Sequence, residues 1–130
     1  MSDKIKLEYF PFKEETNQII KAGIEVHKNL GNGFLEIVYK DALEYEFYTK
    51  DIFYEREKKY EIKYKKAILP HKFYADFVVF NSVILEVKAK DGIPPEDLAQ
   101  TINYLKCSGC KVGLILNFGK VKIEIKRVVL

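Results

Sequence analysis

The chain has 130 residues, of which 48% are hydrophobic and 32% are charged, a composition typical of a globular protein and unlike that of a disordered chain. Its net charge of +3 is only mildly basic, which by itself is a poor argument for nucleic-acid binding. No stretch approaches the ~18 consecutive apolar residues of a membrane-spanning helix, and the N-terminal residues lack the apolar region of a signal peptide. We therefore expect one cytoplasmic domain over residues 1–130, with a lead segment at 1–13 and no membrane partner.

The first half of the chain predicts two helices. Residues 14–30 place apolar side chains such as Ile19 and Val26 at helical spacing, and residues 35–50 do the same along a second stripe. Between them lies Gly31-Asn32-Gly33, and glycine readily adopts the positive φ that ends a helix. The two helices are therefore expected to form an αα-hairpin.

From residue 52 onward the sequence predicts mainly strands. Tyr60, Ile62 and Tyr64 alternate with charged residues, as in a half-buried strand, and Leu69-Pro70-His71 is expected to form the next turn. The remaining expected elements are strands at 72–80 and 82–90, a helix at 96–107 preceded by Pro94-Pro95, a buried strand at 111–118 and an edge strand at 121–129. The order α-α-β-β-β-α-β-β predicts a mixed sheet flanked by helices, an α/β or α+β domain.

Three charged residues interrupt the apolar strands in the middle of the chain. Asp76 follows Ala75 and precedes Phe77, while Glu86 and Lys88 stand among valine, leucine and isoleucine. A carboxylate buried in such a strand costs several kcal/mol unless a partner or a metal ion compensates it. Glu86 and Lys88 are two residues apart and so point to the same face of the sheet. A salt-bridged surface pair is the alternative explanation of these residues.

Asp76 shares that face only if the register of the hairpin allows it. For Asp76 to lie opposite Glu86, the residue numbers of each pair across the hairpin must add to an even total, as 76 and 86 do. A two-residue loop at Asn81-Ser82 would pair Phe80 with Val83, which gives an odd total and turns Asp76 to the other face. A three-residue loop or a bulge meets the requirement. Two carboxylates and a lysine on one face could hold Mg²⁺ or Mn²⁺ against a phosphate and stabilise the negative charge that develops during hydrolysis.

At these residues the sequence resembles the PD-(D/E)XK nuclease superfamily and, within it, the small group named GxxExxY. The name of the group matches Gly33, Glu36 and Tyr39, and the resemblance continues through the segments YADF, VILEVKA, QTINYLK and LILNFG. It covers nearly the whole chain, from about Ile19 to Arg127. Ala75 stands where the nominal motif has proline, a position at which the superfamily often departs from its motif.

The resemblance implies a restriction-endonuclease-like fold and a role for each matching residue. Asp76 and Glu86 would bind the metal ion, Lys88 would be the catalytic lysine, and Glu36 would bring an additional acidic group from the second helix. Gly33 and Tyr39 would shape the corner between the helices, with Tyr39 also a candidate for substrate binding. Gln100 and Tyr104 match a Gln-x-x-x-Tyr pattern near the site and the nucleic acid in related exonucleases. Without the family, Glu36 could be a helix-terminal charge, and both tyrosines could simply be packing residues.

A basic ribbon accompanies these residues and offers a second function. Lysines interleave with tyrosines around the predicted strand, and Lys63, Lys65 and Lys66 are the candidates for contacts with a phosphate backbone, although a solvated strand face would have the same pattern. The sequence thus predicts a Mg²⁺- or Mn²⁺-dependent nuclease that hydrolyses phosphodiester bonds, with DNA favoured over RNA and a homodimer left open. The alternative is a non-catalytic module that keeps the nuclease fold and binds nucleic acid or a protein.

Overall fold

The computed structural model describes residues 10–130, so most of the predicted lead segment 1–13 lies outside the described part. Within residues 10–130, three helices flank a five-stranded sheet in the predicted order α-α-β-β-β-α-β-β. The elements are α1 (Lys13–Leu30), α2 (Glu36–Thr49), β1 (Tyr54–Tyr64), β2 (Ala67–Val79), β3 (Val83–Lys88), α3 (Pro95–Ser108), β4 (Val112–Asn117) and β5 (Glu124–Val129). Across residues 10–130, no helix is both long enough and apolar enough to cross a membrane.

The predicted αα-hairpin is present, and its corner is built by glycine and tyrosine. Gly31 ends α1 with a φ of 69°, and its N–H donates to the carbonyl of His27 at 2.8 Å. Gly33 also has a positive φ of 108°, a backbone conformation that glycine adopts without steric cost. The Tyr39 hydroxyl on α2 donates to the Gly31 carbonyl at 2.6 Å and accepts from the Phe34 N–H at 3.2 Å. These contacts fix where α2 begins relative to the sheet.

The sheet is mixed, with the strands in the order β1-β2-β3-β4-β5. β3 and β4 run parallel and are connected through α3, while the other neighbouring strands are antiparallel. Pro95 occupies the first turn of α3, where its missing N–H is no loss, and Gly109 ends the helix with a φ of 78°. β5 closes one edge of the sheet, as its alternating sequence predicts.

The predicted turn at Leu69-Pro70-His71 is wrong. The turn between β1 and β2 lies at Lys65 and Lys66, and Pro70 is inside β2. Residues 69–71 fall opposite Ile62, between the ladder pairs Lys63↔Ile68 and Glu61↔Lys72, so the strand carries an irregularity there. Proline has no N–H to donate to a ladder and is tolerated at such irregularities, which explains why it does not end the strand.

The two faces of the sheet bury different kinds of side chain. Under α1 and α2 lies the larger apolar core, which includes Leu43, Phe47, Phe77 and Leu114. Under α3 lies a smaller cluster of Ala75, Val78, Ile84, Tyr104 and Leu105. The polar residues that interrupt the strands border this smaller cluster.

The β1–β2 ribbon changes sides between these two cores. Tyr54 packs with the core under α2, but Tyr60, an even number of residues later, packs with the cluster under α3. The change occurs at Glu57 and Asp76, which form no ladder pair although they lie between the pairs Arg56↔Phe77 and Lys58↔Ala75. Glu57 has a φ of 53°, unusual for a residue other than glycine inside a strand. We call residues 58–75, beyond this interruption, the hairpin arm.

Candidate active site

The candidate site lies where β2 and β3 separate. Their ladder runs from Val79↔Val83 to Phe77↔Leu85 and stops just before Asp76 and Glu86. Beyond that point, the backbone N–H groups bond to side-chain carboxylates instead of backbone carbonyls. The Asp76 N–H donates to Glu86 Oε2 at 2.9 Å, and the Val87 N–H donates to Asp76 Oδ2 at 2.8 Å. Each carboxylate therefore satisfies the backbone of the opposite strand, and the two acidic groups are held side by side.

The register that the chemistry requires is confirmed. Three residues, Phe80, Asn81 and Ser82, separate the paired Val79 and Val83. Phe80 and Asn81 adopt φ values of 57° and 56°, and the Ser82 N–H donates to the Val79 carbonyl at 3.1 Å to close the turn. A three-residue loop keeps the paired numbers even, so Asp76 and Glu86 face one another.

Burial makes the carboxylate pair electrostatically unfavourable. Glu86 is 2% exposed and Asp76 is 9% exposed. Loss of hydration, followed by the negative charge of Asp76, raises the pKa of Glu86 to about 8, although the hydrogen bond from the Asp76 N–H acts in the opposite direction. A cation bound between these groups would relieve both the desolvation and the repulsion. The donor set thus fits a hard divalent cation, which prefers oxygen ligands.

A lysine that the sequence analysis missed is in contact with Asp76 of this pair. Lys40, on α2, places Nζ 2.9 Å from Asp76 Oδ1 and 2.8 Å from Glu57 Oε2. Burial disfavours its charge, but hydrogen bonds to Glu57 and Asp76 outweigh that cost and raise the pKa of Lys40 above its ordinary value. Lys40 is one helical turn after Glu36, a spacing that could have indicated it, whereas nothing in the sequence marks Glu57.

Lys88 approaches the site from β3 and is oriented by α3. Its Nζ donates to Gln100 Oε1 at 3.3 Å and lies 4.0 Å from Asp97 Oδ1. Asp97, in the first turn of α3, is 5% exposed and pairs with Lys90, whose Nζ lies 3.0 Å from Oδ1 and 2.8 Å from Oδ2. The sequence analysis identified Gln100 but not Asp97, which resembles an ordinary acidic residue at a helix N-terminus.

The segment after Lys88 is held by the end of β4. The Asn117 side chain accepts from the Lys90 N–H at 3.0 Å and donates to the Lys90 carbonyl at 2.8 Å. Phe118 adds a third bond, because its N–H donates to the Lys88 carbonyl at 2.8 Å. A Cβ at Gly119 would lie 2.2 Å from the Lys90 carbonyl oxygen, so only glycine fits beside this backbone. These contacts hold the backbone of residues 88–90, from which the Lys88 side chain extends toward the site.

Glu36 is near the carboxylate pair but does not join it directly. Burial and the charge of Asp76 raise the pKa of Glu36, while the charges of Lys88, Lys40 and Lys90 lower it. Within residues 10–130, Glu36 forms no hydrogen bond or ion pair, and no three acidic, histidine or cysteine side chains converge closely enough to enclose a metal ion. The carboxylates held side by side for a metal ion are therefore those of Asp76 and Glu86, with Glu36 within electrostatic range.

The two candidate tyrosines differ in position. Tyr39 is 0% exposed and its ring stacks on Phe118 with centroids 4.6 Å apart, so its side chain packs inside the protein, and its role in substrate binding stays a prediction. Tyr104 lies in the cluster under α3 and is 6% exposed. Burial, then the negative charges of Glu86 and Asp76, raise the pKa of Tyr104 to about 12. The Tyr104 hydroxyl is therefore neutral and lies within electrostatic range of Glu86 and Asp76.

The candidate phosphate-binding lysines lie away from these groups. Lys63, Lys65 and Lys66 are exposed at the far end of the hairpin arm. The arm carries six lysines and a single glutamate, and its base packs against α3 through Tyr60, Phe73 and Tyr104. It begins immediately beyond Asp76, so its basic surface continues outward from the carboxylate pair.

Comparisons with known proteins agree with this architecture. The family description of the PD-(D/E)XK nuclease superfamily matches residues 13–128. The solved crystal structure of SSO0001 superimposes with a TM-score of 0.59 at 18% sequence identity, over 91% of this chain. The chain spans 59% of that protein's length, and at this identity the likeness concerns the fold alone. The comparison with curated proteins gives no match. The family match extends over nearly the whole described chain, and the protein belongs to the PD-(D/E)XK nuclease superfamily.

Proposed function

We propose that the protein is a divalent-metal-dependent nuclease that hydrolyses phosphodiester bonds of nucleic acid. The observation that carries the proposal is the buried pair Asp76 and Glu86 at the parting of β2 and β3, with Lys88 on the same face of β3. A buried carboxylate pair of this kind contributes little to folding, because both groups lose hydration and repel each other. Its placement is explained by the binding of a cation.

In this proposal Asp76 and Glu86 hold Mg²⁺ or Mn²⁺, and Glu36 interacts with the same ion from α2. When bound, such an ion polarises a phosphate oxygen and lowers the pKa of a water molecule. Mg²⁺ keeps several of its waters and commonly uses only one or two carboxylates together with substrate phosphate oxygens, which suits a site with two close protein carboxylates. The ammonium of Lys88 stabilises the negative charge that develops on the phosphate, and Gln100 orients that ammonium.

The finer family assignment is part of the proposal. We propose that the chain belongs to the GxxExxY group because Gly33, Glu36 and Tyr39 lie at the corner between α1 and α2. Tyr39 supports that corner through its bond to the Gly31 carbonyl. Among these three residues, only Glu36 has an electrostatic connection to Asp76.

For the substrate we propose nucleic acid, with DNA favoured over RNA. The hairpin arm supplies a basic, tyrosine-bearing surface that starts beside Asp76, and positive side chains along a backbone track are the main source of nucleic-acid affinity. Lys63, Lys65 and Lys66 would contact phosphates away from the scissile bond, while Tyr104 and Gln100 would lie closer to it.

The test is a cleavage assay on labelled single- and double-stranded DNA and RNA with Mg²⁺, Mn²⁺ or EDTA. Lys88→Ala should reduce the rate by a factor of about 10² to 10³ and leave metal binding intact, because it removes a charge-stabilising group but no metal ligand. Asp76→Ala should weaken metal binding itself, measured by calorimetry. Lys106→Ala, an exposed lysine in the last turn of α3, is the matched control and should change neither quantity.

The non-catalytic module makes the opposite prediction. If no nucleic acid is cleaved under any metal condition, and Lys88→Ala binds nucleic acid normally while neutralisation of Lys63, Lys65 and Lys66 weakens binding, the enzyme proposal is wrong and the hairpin arm is the functional surface.

A further inference from the structure

Lys40 occupies a carboxylate oxygen that a metal ion would need. Its ammonium lies 2.9 Å from Asp76 Oδ1, and the other oxygen, Oδ2, already accepts the Val87 N–H. The Lys40 side chain is only 11% exposed and the Asp76 side chain only 12%, so water screens this contact poorly. A divalent cation on Asp76 and an ammonium on the same carboxylate would repel each other strongly at this burial.

Glu57 offers Lys40 a second partner further from the carboxylate pair. Its Oε2 lies 2.8 Å from Lys40 Nζ, and its side chain is 50% exposed, so it faces solvent where Asp76 does not. The backbone of Glu57 has a φ of 53° and interrupts the β1–β2 ladder, a conformation that carries strain in a residue other than glycine. Strained positions of this kind persist where the surrounding structure requires them, and here the consequence is that Glu57 reaches Lys40.

We propose that Lys40 and the divalent cation compete for Asp76, and that Glu57 is the carboxylate that retains Lys40 when the cation binds. The proposal rests on the proposed function in one respect, because it takes Asp76 as a metal ligand. Lysine suits the task, since its compact charge sits on a flexible four-carbon stem and can shift between neighbouring acceptors. Lys40 would thereby lower the affinity of the site for metal, so that the site fills at higher metal concentrations than the two carboxylates alone would need.

A purely structural role for Lys40 predicts the reverse. If the ion pair only holds Asp76 in position, removing Lys40 would disorder a ligand and weaken metal binding. The direction of the change in metal affinity therefore separates the two roles.

The experiment is calorimetric titration of the full chain with MnCl₂ and MgCl₂. Lys40→Met keeps most of the aliphatic stem and removes the positive charge. We expect this variant to bind Mn²⁺ about tenfold more tightly than the wild type, because no ammonium competes with the ion for Asp76. Lys50→Met is the control, since Lys50 pairs with Glu46 one turn away on the exposed side of α2, and it should leave the dissociation constant unchanged. Equal or weaker binding by Lys40→Met overturns the proposal.

Thermal unfolding gives a second readout on the same variants. In EDTA, Lys40→Met should unfold at a lower temperature than the wild type, because Asp76 and Glu86 lose their compensating charge, and saturating Mn²⁺ should raise its unfolding temperature more than that of the wild type. An equal metal-induced rise in the two proteins contradicts the proposal.

Glu57→Gln tests the other half of the proposal at a residue whose side chain is half-exposed. In the wild-type background it should weaken Mn²⁺ binding several-fold, because of the two ion pairs that Lys40 forms within residues 10–130 the one with Asp76 is then left. In the Lys40→Met background the same substitution should have little effect, and the difference between the two backgrounds measures the coupling. An equal loss in both backgrounds would mean that Glu57 acts on the metal without Lys40, and the proposal would fail.

These outcomes remain separable from failure of the proposed function. Measurable Mn²⁺ binding by the wild type, without tighter binding by Lys40→Met, removes only the competition. Absence of Mn²⁺ binding in the wild type and in both single variants removes the metal site and the competition together.

Discussion

The two sides of the sheet differ in what they bury: the larger apolar core lies on the α1/α2 side, and Asp76 and Glu86 lie on the side of the smaller cluster, where Lys40 reaches Asp76 from α2. Among residues 10–130, the core between α1, α2 and the sheet has sixteen buried residues, all of them hydrophobic or aromatic, whereas the cluster between α3 and the sheet has five. Around the smaller cluster are the buried polar residues Asp76, Glu86, Asp97 and Thr101. The larger core can tolerate the cost of the charged groups on the opposite side because it supplies most of the apolar burial. Substitutions on the two sides should therefore have different signatures.

The largest loss of stability is expected on the α1/α2 side. Phe47 is 0% exposed and packs against Phe77 and Tyr54 with ring centroids 5.5 and 5.8 Å away. Phe47→Ala should lower the free energy of unfolding by about 3–5 kcal/mol, because it removes buried surface and leaves a cavity. Urea denaturation measures this change. Tyr48→Ala, at a neighbouring residue that is 78% exposed, is the control and should cost under about 0.5 kcal/mol. Similar losses at the two positions would contradict the division.

A pair of glycines compares the two sides directly. A Cβ on Gly23 would meet Leu116 Cδ1 at 2.8 Å on the α1 side, and one on Gly113 would meet Thr101 Cγ2 at 2.6 Å on the α3 side. Each substitution to alanine should cost about 1–3 kcal/mol of stability through overpacking. Only Gly113→Ala should also reduce cleavage, because it displaces the helix that carries Gln100. Equal cleavage by the two variants, at matched folded fractions, would show that α3 does not orient Lys88.

A more gradual change in stability, spread over several pH units, should follow the titration of Glu86. Its folded pKa of about 8 is above the ordinary value of 4.5, so the folded protein holds this proton more tightly than the unfolded chain does. The free energy of unfolding should consequently fall as pH rises between about 5 and 8, by roughly 1 kcal/mol per pH unit, and level off above that range. Glu86→Gln should flatten this slope in chemical denaturation at a series of pH values in EDTA. An unchanged slope would assign the dependence to other groups.

The smallest change in stability is expected on the hairpin arm. Replacing Lys63, Lys65 and Lys66 by glutamine should alter the free energy of unfolding by less than about 0.5 kcal/mol, since all three are exposed. The same variant should bind DNA more weakly, and the slope of log affinity against log salt should decrease by up to about 3, roughly 0.9 for each phosphate that the protein no longer neutralises. Fluorescence anisotropy over a salt series measures both quantities. An unchanged slope would mean that the arm does not bind phosphate.

Sequence patterns predicted the elements well because each pattern has a local cause. Glycine at the end of α1, helical periodicity in α1 and α2, and alternation in β1 all act within a few residues of chain. The requirement for an even register was also deducible, because two carboxylates must face each other to share one ion. The turn at Leu69-Pro70-His71 was mispredicted because proline was weighted above a strand irregularity that only the pairing reveals.

The missed residues depend on contacts between distant parts of the chain. Lys40 contacts both Glu57 and Asp76, and Glu57 lies where the β1–β2 ribbon changes sides, a change that no glycine in the sequence indicates. Asp97 forms an ion pair with Lys90, and the backbone of Lys90 is held by Asn117 from another strand, so its role is not visible in the local sequence. Conversely, the sequence does not reveal that Tyr39 is completely buried and bonded to the Gly31 carbonyl at the corner between the helices, and its role in substrate binding stays a prediction.

The loop Phe80–Asn81–Ser82 has a consequence for how this sequence can vary. Its three residues decide which residues of β2 and β3 face each other. Within residues 10–130, none of its side chains forms a hydrogen bond with Asp76 or Glu86. Deletion or insertion of one residue would shift β2 by one position and turn Asp76 away from Glu86, even if every residue of the site were retained. Substitutions that allow positive φ at the first two positions should be tolerated, as at Asn81. In sequence alignments or redesigned variants, the length of this loop is therefore a better indicator of an intact site than its composition.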